Sequence, residues 1–154
     1  MIEHYLLSLI LFTPTLGAAL VMLIPRGRVQ AIRWTAFLVS LIPLALSVWL
    51  WIAYRPGEPG FQFEERVTWY AAINANYHLG VDGISVPMVL LTTLLTPLAL
   101  LISWSIGDRV RTYMALFLLL ETGMLGVFLA LDLFLFFVFW EIGLVPMYFL
   151  INQW

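Results

Sequence analysis

One glutamate lies in the middle of a long apolar segment near the C-terminal end of the chain. Between Leu133 and Ile151, Glu141 is the only ionisable side chain apart from Tyr148. The segment is long enough to cross a bilayer, which takes about 20 apolar residues. A charge at its centre costs roughly 2.5 to 3.5 kcal/mol on insertion scales, so such residues usually face a protein interior or a water-filled cavity. The position predicts proton or ion handling; the alternative is a protonated packing residue bonded to a neighbouring helix.

Polar neighbours accompany Glu141 along the same segment. Tyr148 and Asn152 follow it at helical spacing, within about 20° of its direction, so a polar stripe is predicted from mid-membrane to the end of the segment. Pro146 supplies no N–H to the carbonyl of Ile142, which leaves that oxygen free to bind water. These residues are candidate supporting groups for a proton site.

A second acid, Glu121, lies near the middle of the preceding apolar run, 113–131. Glu141 has the same position within its own run, 133–151, so antiparallel helices would place the two acids at nearly the same depth. Neighbouring helices pack about 8 to 10 Å apart, and a few waters could join two carboxyl groups at that separation. Glu121 is therefore a candidate proton relay, with a neutral, hydrogen-bonded acid as the alternative.

Other candidate residues lie beside these segments. Trp140 is next to Glu141 at mid-span, where its indole N–H needs a partner. Asp82 precedes the third apolar run and is well placed to cap the helix that begins there. His78 is expected at the same helix end. For Asp82 and His78 we prefer this structural interpretation to an outer-side proton or subunit contact.

The composition describes an integral membrane protein, because 63% of the 154 residues are hydrophobic and only 10% are charged. The net charge of -2 gives no reason to expect a nucleic acid partner. No cysteine is present, so an iron–sulfur cluster cannot be ligated by thiolates of this chain. His4 and His78 lie outside the apolar runs, which excludes a haem held between helices by histidine pairs. Neither a Gly-x-Gly-x-x-Gly motif nor a Walker motif supports nucleotide binding.

Five apolar runs are each long enough for a membrane-spanning helix, so the predicted fold class is an all-α polytopic membrane protein. Only Asp132 separates the last two runs, which predicts a tight antiparallel pair. Small residues at Gly123, Gly126 and Ala130 permit close approach, and we interpret them as packing residues. The acidic N-terminus does not fit a cleavable signal, so the first run is expected to be retained. The runs cover residues 5–24, 34–54, 84–106, 113–131 and 133–151.

The arginines predict the orientation of these helices. Five lie in the first and third loops, whereas the second loop, 55–83, has two together with several acids. By the positive-inside rule, the first and third loops are cytoplasmic and the second is outside. Short alternating stretches at 61–63 and 67–69 predict a small hairpin on the membrane surface within the second loop. The cytoplasmic set is Arg26, Arg28, Arg33, Arg109 and Arg111.

Two stretches carry a family resemblance: His78-Leu-Gly-Val-Asp-Gly-Ile-Ser85 and the segment from Asp132 through Phe139-Trp140-Glu141 and Val145-Pro146-Met147-Tyr148 to Ile151. They resemble the M-type antiporter-like subunit (chain 4) of NADH–quinone oxidoreductase, complex I. The resemblance extends from the helix of Pro14 to Trp154. It implies that Glu141 is the essential acid of the fifth helix, which pairs with a lysine on a later helix during proton translocation.

The resemblance also implies a larger whole. Such subunits have fourteen helices with two inverted five-helix repeats, and this chain resembles their N-terminal third. Residues 1–112 would contain helices one to three with the outer loop, and 113–154 would begin the first repeat. The chain has no lysine, so it holds half of the expected ion pair. We do not expect this segment to translocate protons alone.

Cofactors and partners follow from the same resemblance. The chain is expected to carry no cofactor, with the flavin, the iron–sulfur clusters and the quinone on other subunits of the enzyme. Its expected partners are other membrane-arm subunits, especially the neighbouring L- and N-type antiporter-like subunits, and the lipid bilayer. The expected location is a bacterial inner membrane or an organellar energy-coupling membrane.

Two rival functions remain at this point. One is the homologous subunit of a multisubunit cation/proton antiporter or of a membrane-bound hydrogenase, against which the Val145-Pro146-Met147-Tyr148 stretch argues. The other is a non-catalytic scaffold subunit in which both acids merely bond to neighbouring helices. Titration of Glu141 would separate the scaffold from the proton-translocating functions.

Overall fold

The computed structural model describes residues 5–57, 60–70, 72 and 75–154, and most of them are helical. Five helices in this part of the chain are long and apolar enough to cross a membrane, which confirms the predicted fold class. A short 3-10 turn, Ser103–Ser105, extends the third helix. The helices are α1 (Leu6–Leu23), α2 (Val29–Ala53), α3 (Ser85–Ile102), α4 (Val110–Leu129) and α5 (Leu133–Gln153).

Carboxylate side chains cap the N-terminal ends of two of the helices. Asp132 Oδ1 accepts hydrogen bonds from the backbone N–H groups of Phe134 and Leu135, at 2.8 and 3.2 Å, and so caps α5. Asp82 Oδ1 accepts from the N–H groups of Ile84 and Ser85, both at 2.9 Å. Each bond satisfies an N–H group that the first helical turn leaves without a partner. The predicted cap of α3 by Asp82 is confirmed.

The central helix of the bundle is α4, which packs against all four other helices. More than half of the apolar window of α4 is buried, whereas less than one fifth of that of α5 is. One buried cluster, around Leu125 and Leu129, joins the C-terminal half of α4 to α1, α3 and the strands described below. A second cluster, around Met114 and Leu118, joins the N-terminal half of α4 to the start of α2 and the end of α3. The open side of the bundle is therefore that of α5.

Two glycines bring α4 and α5 together. A methyl group on Gly123 would lie 2.5 Å from the Cα atom of Gly143, and one on Gly126 would overlap the ring of Phe139. Only residues without a Cβ atom permit this approach, so the interpretation of Gly123 and Gly126 as packing residues is confirmed. Ala130 lies just after α4 and instead forms a bridge with Leu79.

A two-stranded antiparallel hairpin covers one end of the bundle. It consists of β1 (Gln62–Tyr70) and β2 (Ala75–Val81). The hairpin itself was predicted, but its strands were wrong: residues 62–63 and 67–69 of the predicted stretches belong to β1, residue 61 precedes it, and the partner strand includes His78. The strand 75–81 was not predicted because its buried apolar side chains, Leu79 and Val81, lie only at its end, and the buried residue near its start, Asn76, is polar.

Two hydrogen bonds, one between backbone groups and one to a carboxylate, fix this hairpin to the turn between α4 and α5. The N–H of Leu131 donates to the carbonyl of His78 at 2.8 Å. Asp132 Oδ2 accepts from the N–H of Asn76 at 2.9 Å, so the residue that caps α5 also holds β2. The hairpin is therefore part of the packed bundle rather than a separate surface element.

The first and third loops meet at the opposite end of the bundle. Arg33 donates to the carbonyl of Ile106 at 2.8 Å, and Arg111 donates to the carbonyl of Ile24 at 3.3 Å. The guanidinium of Arg109 lies 4.8 Å from the ring centre of Trp154. The arginine-rich loops thus share one end and the hairpin occupies the other, as the predicted topology requires; which end faces the cytoplasm stays a prediction.

Candidate functional site

Glu141 lies on the exposed face of α5. The helix continues without interruption from Leu133 to Gln153, so the helical spacing that relates Glu141 to Tyr148 and Asn152 applies. All three side chains are exposed, and Tyr148 is 63% exposed. Pro146 is buried about 140° around the helix from Glu141. The predicted polar stripe therefore follows one open face, with the proline behind it.

The contact between α4 and α5 lies behind Glu141. Gly143 and Phe139, which contact α4, are each about 160° from Glu141 around the axis of α5. The acid consequently points away from α4. A segment of protein placed against this open face would meet Glu141, Tyr148 and Asn152 directly.

Glu121 has the opposite environment. Its side chain is 1% exposed, and neither carboxyl oxygen has a hydrogen-bond partner among the described residues. On α4 it lies about 160° from Gly123 and about 140° from Gly126, the two residues that contact α5. Glu121 therefore points into the side of the bundle formed by α1, α2 and α3.

The arrangement separates the two acids. Since Gly123 faces Gly143 and Gly126 faces Phe139, the point of α5 opposite Glu121 is near residue 144 or 145. Glu141 is about one helical turn, or roughly 5 Å along the axis, from that level. The two acids are therefore offset by about one helical turn, and the expectation that they lie at nearly the same depth is wrong by that amount. A direct water link between the carboxyl groups is also disfavoured, because each points away from the shared α4–α5 contact.

Hydroxyl groups, all of them buried except that of the half-buried Thr15, lie on the four helices around Glu121, within about two helical turns of its level. The Oγ1 atoms of Thr15 and Thr122 are 2.7 Å apart and join α1 to α4. Most of the others are bonded to carbonyls of their own helix, whereas Ser47 Oγ is buried without a partner in the described part of the chain. We call this set, together with Glu121, the polar belt. Its hydroxyl residues are Thr15, Ser40, Ser47, Thr93, Thr96 and Thr122.

Sequence reasoning overlooked the polar belt. A signal was present: runs 34–54 and 84–106 contain serine and threonine at spacings that recur on one helix face. Such residues are common in membrane helices because their hydroxyl groups bond to their own backbone. They become informative only when a buried acid is found among them.

A further hydrogen-bond network lies under the hairpin, at the start of α1. Glu65 of β1 accepts from the backbone N–H of Ser8 at 2.9 Å and from its hydroxyl at 2.5 Å. Ser8 Oγ is also 2.6 Å from the hydroxyl of Tyr77. Glu65 therefore caps α1 from a distant part of the chain. Burial raises the pKa of Tyr77 to about 12, so its hydroxyl keeps its proton and bonds within this network.

The remaining candidates at the hairpin end have structural surroundings. The backbone N–H of Ser85 holds the pKa of Asp82 below its usual value, as expected of a capping carboxylate. His78 Nε2 is 3.4 Å from Glu64 Oε2 across the hairpin. The expectation that His78 bonds to the start of α3 is therefore not met, because β2 aims the ring at its partner strand.

Trp140 lies at the edge of an open groove between α4 and α5. Its ring centre is 5.8 Å from that of Phe136 on the same helix, and the indole is 49% exposed. The groove encloses about 310 Å³ and has an almost entirely apolar lining. Within the described ranges, no group of three or more His, Cys, Asp or Glu side chains comes together to hold a metal ion.

The five membrane-length helices make the chain a multi-pass membrane protein, and its fold matches solved structures of one class. Solved structures with this fold include respiratory complex I from Thermus thermophilus with bound NADH, at a TM-score of 0.75 and 27% identity over 91% of this chain and 27% of that one. The membrane-bound sulfane sulfur reductase, an archaeal respiratory membrane complex, matches 97% of this chain and 23% of its own, at a TM-score of 0.75 and 26% identity. The fold is that of an antiporter-like subunit.

Sequence relatives match the chain over nearly its whole length, although no protein-family model matches it. It is 42% identical over 153 residues to NADH-quinone oxidoreductase subunit M of Rhodobacter capsulatus. It is 40% identical over 161 residues to NADH-ubiquinone oxidoreductase chain 4 of Arabidopsis thaliana. The alignments cover 97% and 100% of this chain but 30% and 32% of the relatives, so the chain spans about a third of their length. The chain is homologous to a segment of the subunit M and chain 4 family, which confirms the resemblance.

Proposed function

We propose that this chain is part of a proton-translocating membrane subunit of an NADH–quinone oxidoreductase, and that Glu141 is its proton-carrying acid. The observation that carries the proposal is the position of Glu141 midway along a membrane-length helix, on a face where nothing in the described chain covers it. An ionisable group at that depth is costly unless it faces protein or water. Its presence on the open face supports an interface with further polypeptide of the same subunit.

The neighbours of Glu141 suit proton transfer. Tyr148 and Asn152 extend from it toward the arginine-rich end on the same helix face, at positions where their polar groups can hold water. Pro146 leaves the carbonyl of Ile142 without its usual N–H donor, which adds an acceptor one residue from the acid. Together they provide a polar path along an otherwise apolar helix.

A cation from outside this segment would complete the site. An ammonium group near Glu141 favours the ionised carboxylate, and its withdrawal favours the protonated acid, so movement of the cation can load and release a proton. Because the chain itself contains no lysine, that cation belongs to another part of the full-length subunit in this proposal. The redox reactions and their cofactors are assigned to other subunits, and the L- and N-type subunits are the proposed neighbours.

The sequence relatives favour the oxidoreductase over the rival ion-transporting complexes. The fold alone does not separate them, since the archaeal sulfane sulfur reductase matches with the same TM-score as complex I. The two solved structures are also nearly equal in sequence identity, 27% and 26%. What supports the oxidoreductase is that subunit M and chain 4 proteins match the chain at 38 to 42% identity.

The test uses the full-length subunit in its assembled complex, reconstituted into vesicles. Glu141→Gln removes the exchangeable proton at constant size and should abolish most proton pumping, while Glu141→Asp should retain part of it. Glu64→Gln makes the same chemical change on the hairpin and should leave pumping unchanged. Normal pumping by an assembled Glu141→Gln complex would overturn the proposal.

A further inference from the structure

We propose that Glu121 is a second proton-holding site, which exchanges its proton through water in the interior enclosed by α1, α2, α3 and α4. This site is separate from Glu141. Its contribution to proton pumping rests on the proposed function, whereas the presence of an exchangeable proton on Glu121 does not. The first observation is that Glu121 is 1% exposed and both of its oxygens lack a protein partner among the described residues. Such a group in a packed interior requires an explanation, and bound water would satisfy it.

The surroundings of Glu121 are polar enough to hold water. Ser47 Oγ is also buried and unpartnered in the described chain, but it lies about five residues, or roughly 8 Å, beyond the level of Glu121 toward the hairpin end, so a link between the two would take more than one water. The hydroxyl groups of Thr93 and Thr96 donate to carbonyls of α3, which leaves their oxygen lone pairs as acceptors. Water needs two to four polar partners, and Glu121 on α4 with the hydroxyl groups of α3 can offer them.

Prolines add acceptors at the same depth. Pro43 in α2 and Pro97 in α3 are both buried and supply no N–H to the carbonyls of Val39 and Thr93. Val39 lies close to Leu118, one turn before Glu121, because a methyl group on Gly17 would contact both side chains. One freed carbonyl on α2 is therefore near the level of the acid.

The same alignment holds for α3. The hydroxyl groups of Ser103 and Tyr113 are 2.6 Å apart and fix the register of these antiparallel helices. Glu121 is eight residues from Tyr113 along α4, and the position eight residues before Ser103 on α3 is 95. The stretch from Thr93 to Pro97 is therefore opposite Glu121, to within about one helical turn. The carbonyl of Thr93 and the hydroxyl groups nearby consequently surround the level of the carboxyl group.

No charged side chain on the described parts of the surrounding helices lies beside Glu121. The described parts of α1 and α3 contain no acidic or basic side chain, and α2 contains only Arg33, which bonds to Ile106 at the arginine-rich end. On α4 itself, Arg111 and Tyr113 also bond at that end. Glu141 on α5 faces the other way. Glu121 is therefore suited to hold a proton as a neutral acid and to pass it to hydrogen-bonded water.

The experiment measures the carboxyl group and proton transport in the same assembled full-length complex. Infrared difference spectra in H₂O and D₂O should contain a protonated carboxyl band that shifts on deuteration and disappears in Glu121→Gln. Thr93→Val removes one hydroxyl at nearly constant shape and should shift the frequency of that band. Glu121→Gln should lower proton pumping several-fold, with partial recovery in Glu121→Asp, whereas Glu64→Gln should change neither measurement.

Several outcomes would contradict this inference. Normal pumping by Glu121→Gln would reduce Glu121 to a packing residue, as would a carboxyl band that fails to exchange in D₂O. If Glu121→Gln does not assemble, Thr93→Val in an otherwise native complex replaces it: a shift of the protonated carboxyl band then identifies the carboxyl group as Glu121. A carboxyl band that responds neither to D₂O nor to Thr93→Val would overturn the site. Glu141→Gln is measured in parallel: loss of pumping there with normal pumping in Glu121→Gln would reject this inference and keep the proposed function.

Discussion

Glu121 and Glu141 project from opposite sides of the helix pair that α4 and α5 form. Each acid is about 160° from the glycine of its own helix at the contact, Gly123 on α4 and Gly143 on α5. One carboxyl group is enclosed by the bundle and the other is on its open face. The packed pair therefore separates two polar environments, and the opposite directions of the two carboxyl groups disfavour a direct water link between them.

This separation predicts that the two acids contribute independently to proton pumping. Glu121→Gln should lower the pumping rate by the same factor in the native subunit and in the Glu141→Asp variant, because distant sites without shared partners act additively in free energy. Pumping would be measured in vesicles that contain the assembled complex. Unequal factors would mean that the acids are coupled, for instance through water or a movement of α4 against α5.

The contact between α4 and α5 should be sensitive to a single methyl group. In Gly123→Ala the new Cβ atom would lie 2.5 and 2.6 Å from the Cα and N atoms of Gly143, so a backbone must shift. Overpacking of this kind typically costs about 1 to 3 kcal/mol. A lower midpoint of thermal unfolding of the purified protein in detergent is expected.

Gly107→Ala provides the matched control for that change. A Cβ atom at Gly107 would have no heavy atom within 4 Å, and its backbone has no positive φ that would strain an alanine. The midpoint should therefore stay close to that of the native protein. Equal midpoints for Gly123→Ala and Gly107→Ala would show that the helices are not in close contact at Gly123.

Asp132 should stabilise the hairpin end of the bundle in a pH-dependent manner. The N–H of Asn76, followed by those of Leu135 and Phe134, holds the pKa of Asp132 below its usual value. A carboxyl group whose pKa is lowered by folding contributes stability above its ordinary pKa of about 3.9, and that contribution is lost as the pH falls through the lowered value. Asp132→Ala, which removes an N-cap, should cost about 1 kcal/mol at neutral pH.

The measurement compares unfolding of the native and Asp132→Ala proteins between neutral and acidic pH. The difference between them should shrink as the pH approaches the lowered pKa, since the native carboxyl group then becomes protonated. A difference that stays constant over the whole range would mean that Asp132 stabilises by packing rather than by its charge.

The sequence was sufficient to predict the elements that depend on local composition. Membrane-length apolar runs set the helices, and Asp82 was recognised as a cap because its position before the third run is a local signal. The direction in which Glu121 points was not predictable in the same way. It depends on which face of α4 meets α5, and that face is set by the pairing of Gly123 with Gly143.

The tertiary partners of the hairpin also escaped prediction. Glu65 caps α1 from more than 50 residues away in the chain, and no periodicity links it to Ser8. His78 was expected near α3 because of its short separation from Asp82, but strand pairing turns it toward Glu64. Local spacing predicts helix starts well, whereas contacts between β1 and α1 depend on how the finished elements pack.

Membrane topology is the last prediction, and the structure improves the choice of residues that test it. The arginine-rich loops gather at one end of the bundle and the hairpin at the other, and the positive-inside rule places the arginine-rich end in the cytoplasm. Gln30, at the arginine end, and Val67, on the hairpin, are both exposed, and the chain has no cysteine. In the full-length protein, with any cysteine outside this segment replaced, a membrane-impermeant thiol reagent added from outside intact cells should label Val67→Cys and spare Gln30→Cys. After permeabilisation both should react, which controls for accessibility, and labelling of Gln30→Cys alone in intact cells would reverse the orientation and the direction of any proton path.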